Sequence, residues 1–115
     1  MTIGMVMLGV ADAARSAEFY ERRVGFSVQG KAPGFVFLNA GGVTLVLSEA
    51  LARNASSTTG AMELVIPVDH VKSAVGELES RGVEFFQQPR IVTGDRWAAN
   101  FRDPDGHLWS VFGAE

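Results

Sequence analysis

Glu63 is the side chain with the clearest chemical potential in this 115-residue sequence, a carboxylate opening the apolar run Glu63-Leu64-Val65-Ile66-Pro67-Val68. Two readings compete for it. In the first it is a strand carboxylate near an edge, exposed to water or paired with an arginine. In the second it sits in apolar surroundings, where desolvation makes it a stronger acceptor for a ligand N–H or a general base. The other reactive types offer less. The chain has no cysteine, which removes disulfides, thiolate nucleophiles and zinc-thiolate sites together. His70 stands at a helix start and His107 follows a turn glycine. Ser110 has no base beside it in sequence, so it is not a nucleophile candidate. Asn100 either orients a ligand or satisfies a strand neighbour, and Arg96 and Arg102 read as surface charges.

These residues must be positioned by strands. Asp103-Pro104-Asp105-Gly106 is a turn: Pro104 presets φ, Asp103 can bond the backbone ahead of it, and Gly106 has no Cβ. Extended, aromatic-rich runs flank it, so 100–112 is expected to be a β-hairpin with a four-residue connection. The stretch 35–47 has the same layout, with Phe37 matching Phe101, Gly42 matching Gly106 and Leu45 matching Trp109, each pair 64 positions apart. One supersecondary unit is used twice.

The rest of the chain completes that unit. Ile3 to Val10 is the first strand, with Val6, Leu8 and Val10 alternating with Met5, Met7 and Gly9. Asp12 stands where an N-cap belongs, and Ala13 to Arg23 carries Ala17, Phe19 and Tyr20 at helical spacing, with Val24 next on that face. Gly25 ends that helix, Phe26 to Gln29 starts a strand, and Gly30 to Gly34 turns into the hairpin. Module one is therefore β-α-β-β-β over 1–49. Residues 50–60, small and polar, are expected to be a linker. Module two, 61–115, repeats the plan: a strand over Met62 to Val68, a helix capped by Asp69 or His70, with Val71, Ala74, Val75 and Leu78 buried, a stop at Gly82, and a strand from Val83.

Bulk properties narrow the classes. With 47% hydrophobic residues the chain has enough apolar side chain for a real core. No apolar run approaches a membrane span and no segment resembles a signal peptide, so a cytoplasmic location is expected. The net charge is −3 and the basic residues are scattered, which makes nucleic acid a poor partner.

The duplicated plan, the helix start Asp12 with Ser16, Phe19 and Tyr20, and the turn Phe101-Arg102-Asp103-Pro104-Asp105-Gly106 together resemble the vicinal oxygen chelate superfamily. That group holds glyoxalases, extradiol dioxygenases, fosfomycin-modifying enzymes and bleomycin-resistance proteins. The resemblance covers nearly the whole chain. It implies an α+β fold in which two β-α-β-β-β modules curl their eight strands into a cup, helices outside and ligand inside, in a homodimer.

Within such a cup, alternation turns Val6, Leu8 and Val10, and likewise Leu64, Ile66 and Val68, toward the helices. Met5, Met7, Gly9, Glu63, Val65 and Pro67 then face inward. Phe37, Phe101 and Trp109 are expected to face helices, and Ala98, Asn100, Ser110 and Phe112 the cup. Trp97, after the Gly94-Asp95-Arg96 turn, is expected at the mouth, where it would stack on a planar ligand. The resemblance places the four metal-ligand positions of metal-using relatives at Met5, Val46, Glu63 and Ser110, and only Glu63 is a first-shell ligand type. It also sets Asn100 where resistance enzymes carry a polar residue that touches substrate.

The resulting expectation is a metal-free protein without cofactor that sequesters a small organic molecule, such as an antibiotic. Its apolar, partly aromatic cup would be lined by Met5, Met7, Val46, Glu63, Val65, Trp97, Asn100, Ser110 and Phe112. The alternative is a lyase, isomerase or dioxygenase of the same superfamily, metal-dependent or using Glu63 as its base. A domain serving a larger assembly is a third class, which no residue favours.

Overall fold

Both modules open on a strand whose period-two pattern survives in three dimensions. In β1 (Met5–Gly9) Leu8 is buried while Met5 and Met7 are exposed. In β5 (Glu63–His70) Leu64, Ile66 and Val68 are the more buried set, and Glu63, Val65 and Pro67 the exposed one. The computed structural model describes residues 3–54 and 62–115, and the chain divides into two units, Met1–Gly60 and Ala61–Glu115.

In the first unit, β2 (Ser27–Ala32), β3 (Phe35–Asn39) and β4 (Thr44–Ser48) join β1 in the order β1-β4-β3-β2, with β1 parallel to β4 and the other pairs antiparallel. Helix α1 (Ala13–Phe19) starts where Asp12 accepts from the Arg15 N–H at 3.0 Å, as the cap signal predicts. A second carboxylate helps, since Glu49 Oε2 accepts from the Ala13 N–H at 2.9 Å. The helix widens into a π-helical turn over Tyr20–Val24 and ends at Gly25, whose φ of 98° favours glycine. Ala17, Phe19, Tyr20 and Val24 are all buried there, Tyr20 stacked on Phe26 at 6.1 Å.

Two details differ from expectation. Strand β2 runs on to Ala32, and the turn is the tight pair Pro33-Gly34, with Ala32 opposite Phe35. The stretch 50–60, expected as linker, begins with helix α2 (Glu49–Asn54), whose Leu51 N–H donates to Ser48 Oγ at 3.0 Å. The signal was the capping serine just ahead of Glu49. Helix α2 comes so close to β1 that a Cβ on Gly9 would stand 3.1 Å from the Ala52 backbone. Residues 55–60 lie outside the described residues.

The second unit repeats the order as β5-β8-β7-β6, formed with β6 (Phe85–Thr93), β7 (Arg96–Arg102) and β8 (Leu108–Ala114). Helix α3 (Val71–Ser80) buries Val71, Val75 and Leu78. His70 occupies its N-cap without a side-chain bond, and Gly82 follows its end at φ 92°. Phe101 and Trp109 stack at 6.0 Å in the core, with Phe85 edge-on to Phe101 at 5.3 Å. Each such ring contributes roughly 1.5–3 kcal/mol by burial. Gly113 permits a close crossing, because a Cβ there would lie 1.9 Å from the Val68 carbonyl oxygen.

The two hairpins differ by one residue. Asn39 pairs with Thr44 across four residues, whereas Arg102 pairs with Leu108 across five. Beyond the turn Leu45 and Trp109 do correspond, but before it Leu38, not Phe37, is the counterpart of Phe101. Phe37 therefore shares its face with its register partner Val46, and through it with Met7, rather than facing the helix as expected. In the second turn the buried Asp103 accepts from the N–H groups of Asp105 at 3.0 Å and His107 at 2.8 Å, and meets His107 Nδ1 at 2.5 Å. His107 thus belongs to the scaffold of the turn.

Candidate functional site

The face of the second sheet opposite α3 is built in rows. Cross-strand partners point to the same side, so Val65, Ser110, Asn100 and Gln87 form one row from β5 to β6. Pro67, Phe112, Ala98 and Arg90 form the next. A hollow of about 440 Å³ opens over these rows, lined by Glu63, Val65, Arg90, Val92, Ala98, Asn100, Ser110 and Phe112. That volume suits a small organic ligand.

Its floor is polar and fixed. Asn100, 4% exposed, and Ser110, 3% exposed, are neighbours across β7 and β8. Asn100 Oδ1 accepts from Arg90 Nη2 at 2.8 Å and its Nδ2 donates to the Trp109 carbonyl at 3.2 Å. Arg90 Nη1 also donates to the Ala98 carbonyl at 3.4 Å. Ser110 Oγ donates to Glu63 Oε1 at 3.4 Å, a long bond. Apolar walls come from Val65, Val92, Ala98 and Phe112. Among the described residues, no cation pairs with Glu63 and no carboxylate with Arg90. The arrangement can accept a proton donor at Glu63 and Ser110, and donate toward an oxygen from Arg90. Among the described residues, the only side chain hydrogen-bonded to Glu63 is Ser110, a hydroxyl and not the acid partner that acid–base turnover would need.

Of the residues singled out in sequence, Glu63, Val65, Asn100, Ser110 and Phe112 come together here. Met5, Met7 and Val46 share a face of the first sheet, a separate unit. Trp97 does not line the hollow. It lies on the α3 side of β7, with Lys72 Nζ 4.8 Å above its ring, because alternation sets it opposite Ala98. Arg90 and Val92 were missed. Strand β6 has three register shifts against β7, between Phe85 and Gln87, Gln87 and Arg90, and Ile91 and Thr93, so simple alternation does not locate its inward side chains. A second hollow of about 560 Å³ lies beside the start of α3, lined by Asp69, His70, Ser73 and Glu77 among others. It is the larger, yet those four side chains are all exposed, and none is held by a buried partner as Asn100 and Arg90 are.

A sequence model of the Glyoxalase/Bleomycin resistance protein/Dioxygenase superfamily matches residues 2–111. The chain belongs to this superfamily. Solved structures agree on the fold. A glyoxalase/bleomycin resistance protein/dioxygenase from Nocardioides superposes with a TM-score of 0.83 at 24% identity, covering 99% of this chain and 83% of that one. TnmS3, an antibiotic binding protein from Streptomyces, gives 0.79 at 22% identity, with coverage of 100% and 97%. A lactoylglutathione lyase from Agrobacterium tumefaciens gives 0.76 at 20%, with coverage of 97% and 92%. No curated protein matches the sequence. Among the described residues, no helix is long and apolar enough to cross a membrane.

Superfamily membership makes a divalent metal worth testing against the donors present. The four positions hold Met5, Val46, Glu63 and Ser110: a thioether, a hydrocarbon, a carboxylate and a hydroxyl. Among the described residues, no three His, Cys, Asp or Glu side chains gather into a possible metal site. A catalytic divalent ion is normally held by three N, O or S protein ligands, and this set does not fit one.

Proposed function

We propose that this superfamily member is a metal-free small-molecule-binding protein, holding an organic ligand such as an antibiotic in the hollow of module two. The observation that carries the reading is the Arg90–Asn100–Ser110–Glu63 series of polar groups lining a hollow with walls of Val65, Val92, Ala98 and Phe112. A few fixed polar groups in an apolar concavity orient a ligand. The antibiotic-binding TnmS3, which shares the fold, supports the same reading. So does the donor set at the metal positions, which leaves an enzyme of this superfamily without its usual Lewis acid. We place the protein in the cytoplasm, and we infer a homodimer in which a partner covers Met5 and Met7, 53% and 45% exposed. The test is a screen of amine-bearing aromatic compounds by ligand-dependent thermal shift, against wild type and Val65→Trp. That exposed position accepts a larger side chain and projects it into the hollow. Compounds that raise the wild-type melting temperature and fail with Val65→Trp support the proposal, and hits that stabilise both proteins equally refute it.

A further inference from the structure

Glu63 and Arg90 stand on the two outer strands of one sheet, β5 and β6, and both line the same hollow. Their backbones are three strands apart and out of register, since Arg90 shares the row of Pro67 and Glu63 lies four residues before it on β5. Between them lie Ser110 and Asn100, which carry no charge. Each charged group leans toward this centre, Glu63 to the Ser110 hydroxyl and Arg90 to the Asn100 amide oxygen. Neither is neutralised by an opposite charge among the described residues. Opposite charges that a protein keeps on one concave surface, and does not pair with each other, remain available to an occupant.

The asymmetry of their anchoring is informative. Arg90 is anchored by the 2.8 Å bond from Nη2 to Asn100 Oδ1, with a long 3.4 Å bond from Nη1 to the Ala98 carbonyl beside it. A guanidinium has five N–H donors, so several stay free beside that anchor, suited to a carboxylate or another anionic oxygen pair. Glu63 has one long bond and is exposed, so it can adjust to an ammonium or N–H donor. We infer that the ligand of this hollow is amphoteric, an elongated molecule with an anionic oxygen group held by Arg90 and an amine held by Glu63. The inference rests on the proposed binding site and specifies the chemical class of its occupant.

The test uses three rigid probes: an aminomethyl-biphenyl carboxylic acid with its charges on opposite rings, the same amine with the acid as a primary amide, and the same acid with methyl in place of aminomethyl. Each is titrated into the isotope-labelled full chain and followed at the amide signals of Ser110, Asn100 and Phe112. The amphoteric probe should bind roughly tenfold or more tightly than either single-charge probe, as expected for one additional charge-assisted hydrogen bond. Glu63→Gln should remove its advantage over the acid-only probe, and Arg90→Gln its advantage over the amine-only probe. Arg90→Lys, which keeps the charge, should restore part of the latter. Equal affinities of all three probes at the cavity signals would overturn the amphoteric assignment and leave the site standing. No shift at those signals with any probe would overturn the site and this inference with it.

Discussion

Arg90 and Asn100 form a locked pair: the guanidinium donates to the amide oxygen at 2.8 Å, and the amide nitrogen donates in turn to the Trp109 carbonyl at 3.2 Å. With an acceptor on one side and a donor on the other, only one orientation of the Asn100 amide satisfies both bonds. The pair joins β6, β7 and β8 beneath the hollow, so it serves the scaffold and the site together.

Removing that amide should be felt in folding. Asn100→Ala deletes both bonds at a buried position, and a loss of about 1–3 kcal/mol is expected. Urea unfolding checks it. A midpoint equal to wild type would show that the pair does not brace the sheet.

Two glycines should respond in opposite directions to the same change. Gly113→Ala forces a methyl against the Val68 carbonyl, where 1.9 Å is available, and should cost at least about 1–3 kcal/mol or abolish folding. Gly76, inside α3, has nothing within 4 Å of an added Cβ, and Gly76→Ala should stabilise by about 0.5–1 kcal/mol. Thermal melts of the two variants decide both.

Much of this fold was legible because its signals are local. Asp12 caps α1, Gly25 and Gly82 follow their helices at positive φ, and Asp103 organises its turn through the bonds expected of it. The alternation of Leu64, Ile66 and Val68 against Glu63 and Val65 gave the inward side of β5. What failed depended on register. One additional residue in the second hairpin moved Phe37 to the other face from its supposed counterpart Phe101, and nothing in the turn composition reveals that count. The irregularities of β6 hid Arg90 and Val92 in the same way. Trp97 was misplaced by its nearness to a turn, although strict alternation from Ala98 would have set it with α3.

The donor set at Met5, Val46, Glu63 and Ser110 predicts that purified protein carries far less than one equivalent of any transition metal. Elemental analysis of material prepared without chelator measures this. About one equivalent of zinc, nickel, manganese or iron, lost on adding EDTA together with ligand binding, would count against the metal-free reading.

The exposure of Met5 and Met7 predicts a homodimer at micromolar concentration. Sedimentation velocity should give a single species of about twice the 12.3 kDa chain mass. A stable monomer would contradict it, and Met5→Lys should shift a dimer toward monomer.

Whether a small molecule sits in the hollow of module two can be read from an intermolecular NOE experiment on valine-methyl-labelled protein with a compound from the screen. Contacts are expected from the compound to the methyls of Val65 and Val92, which flank the hollow. Contacts confined to Val68, at the larger hollow beside α3, would place the ligand elsewhere and contradict it.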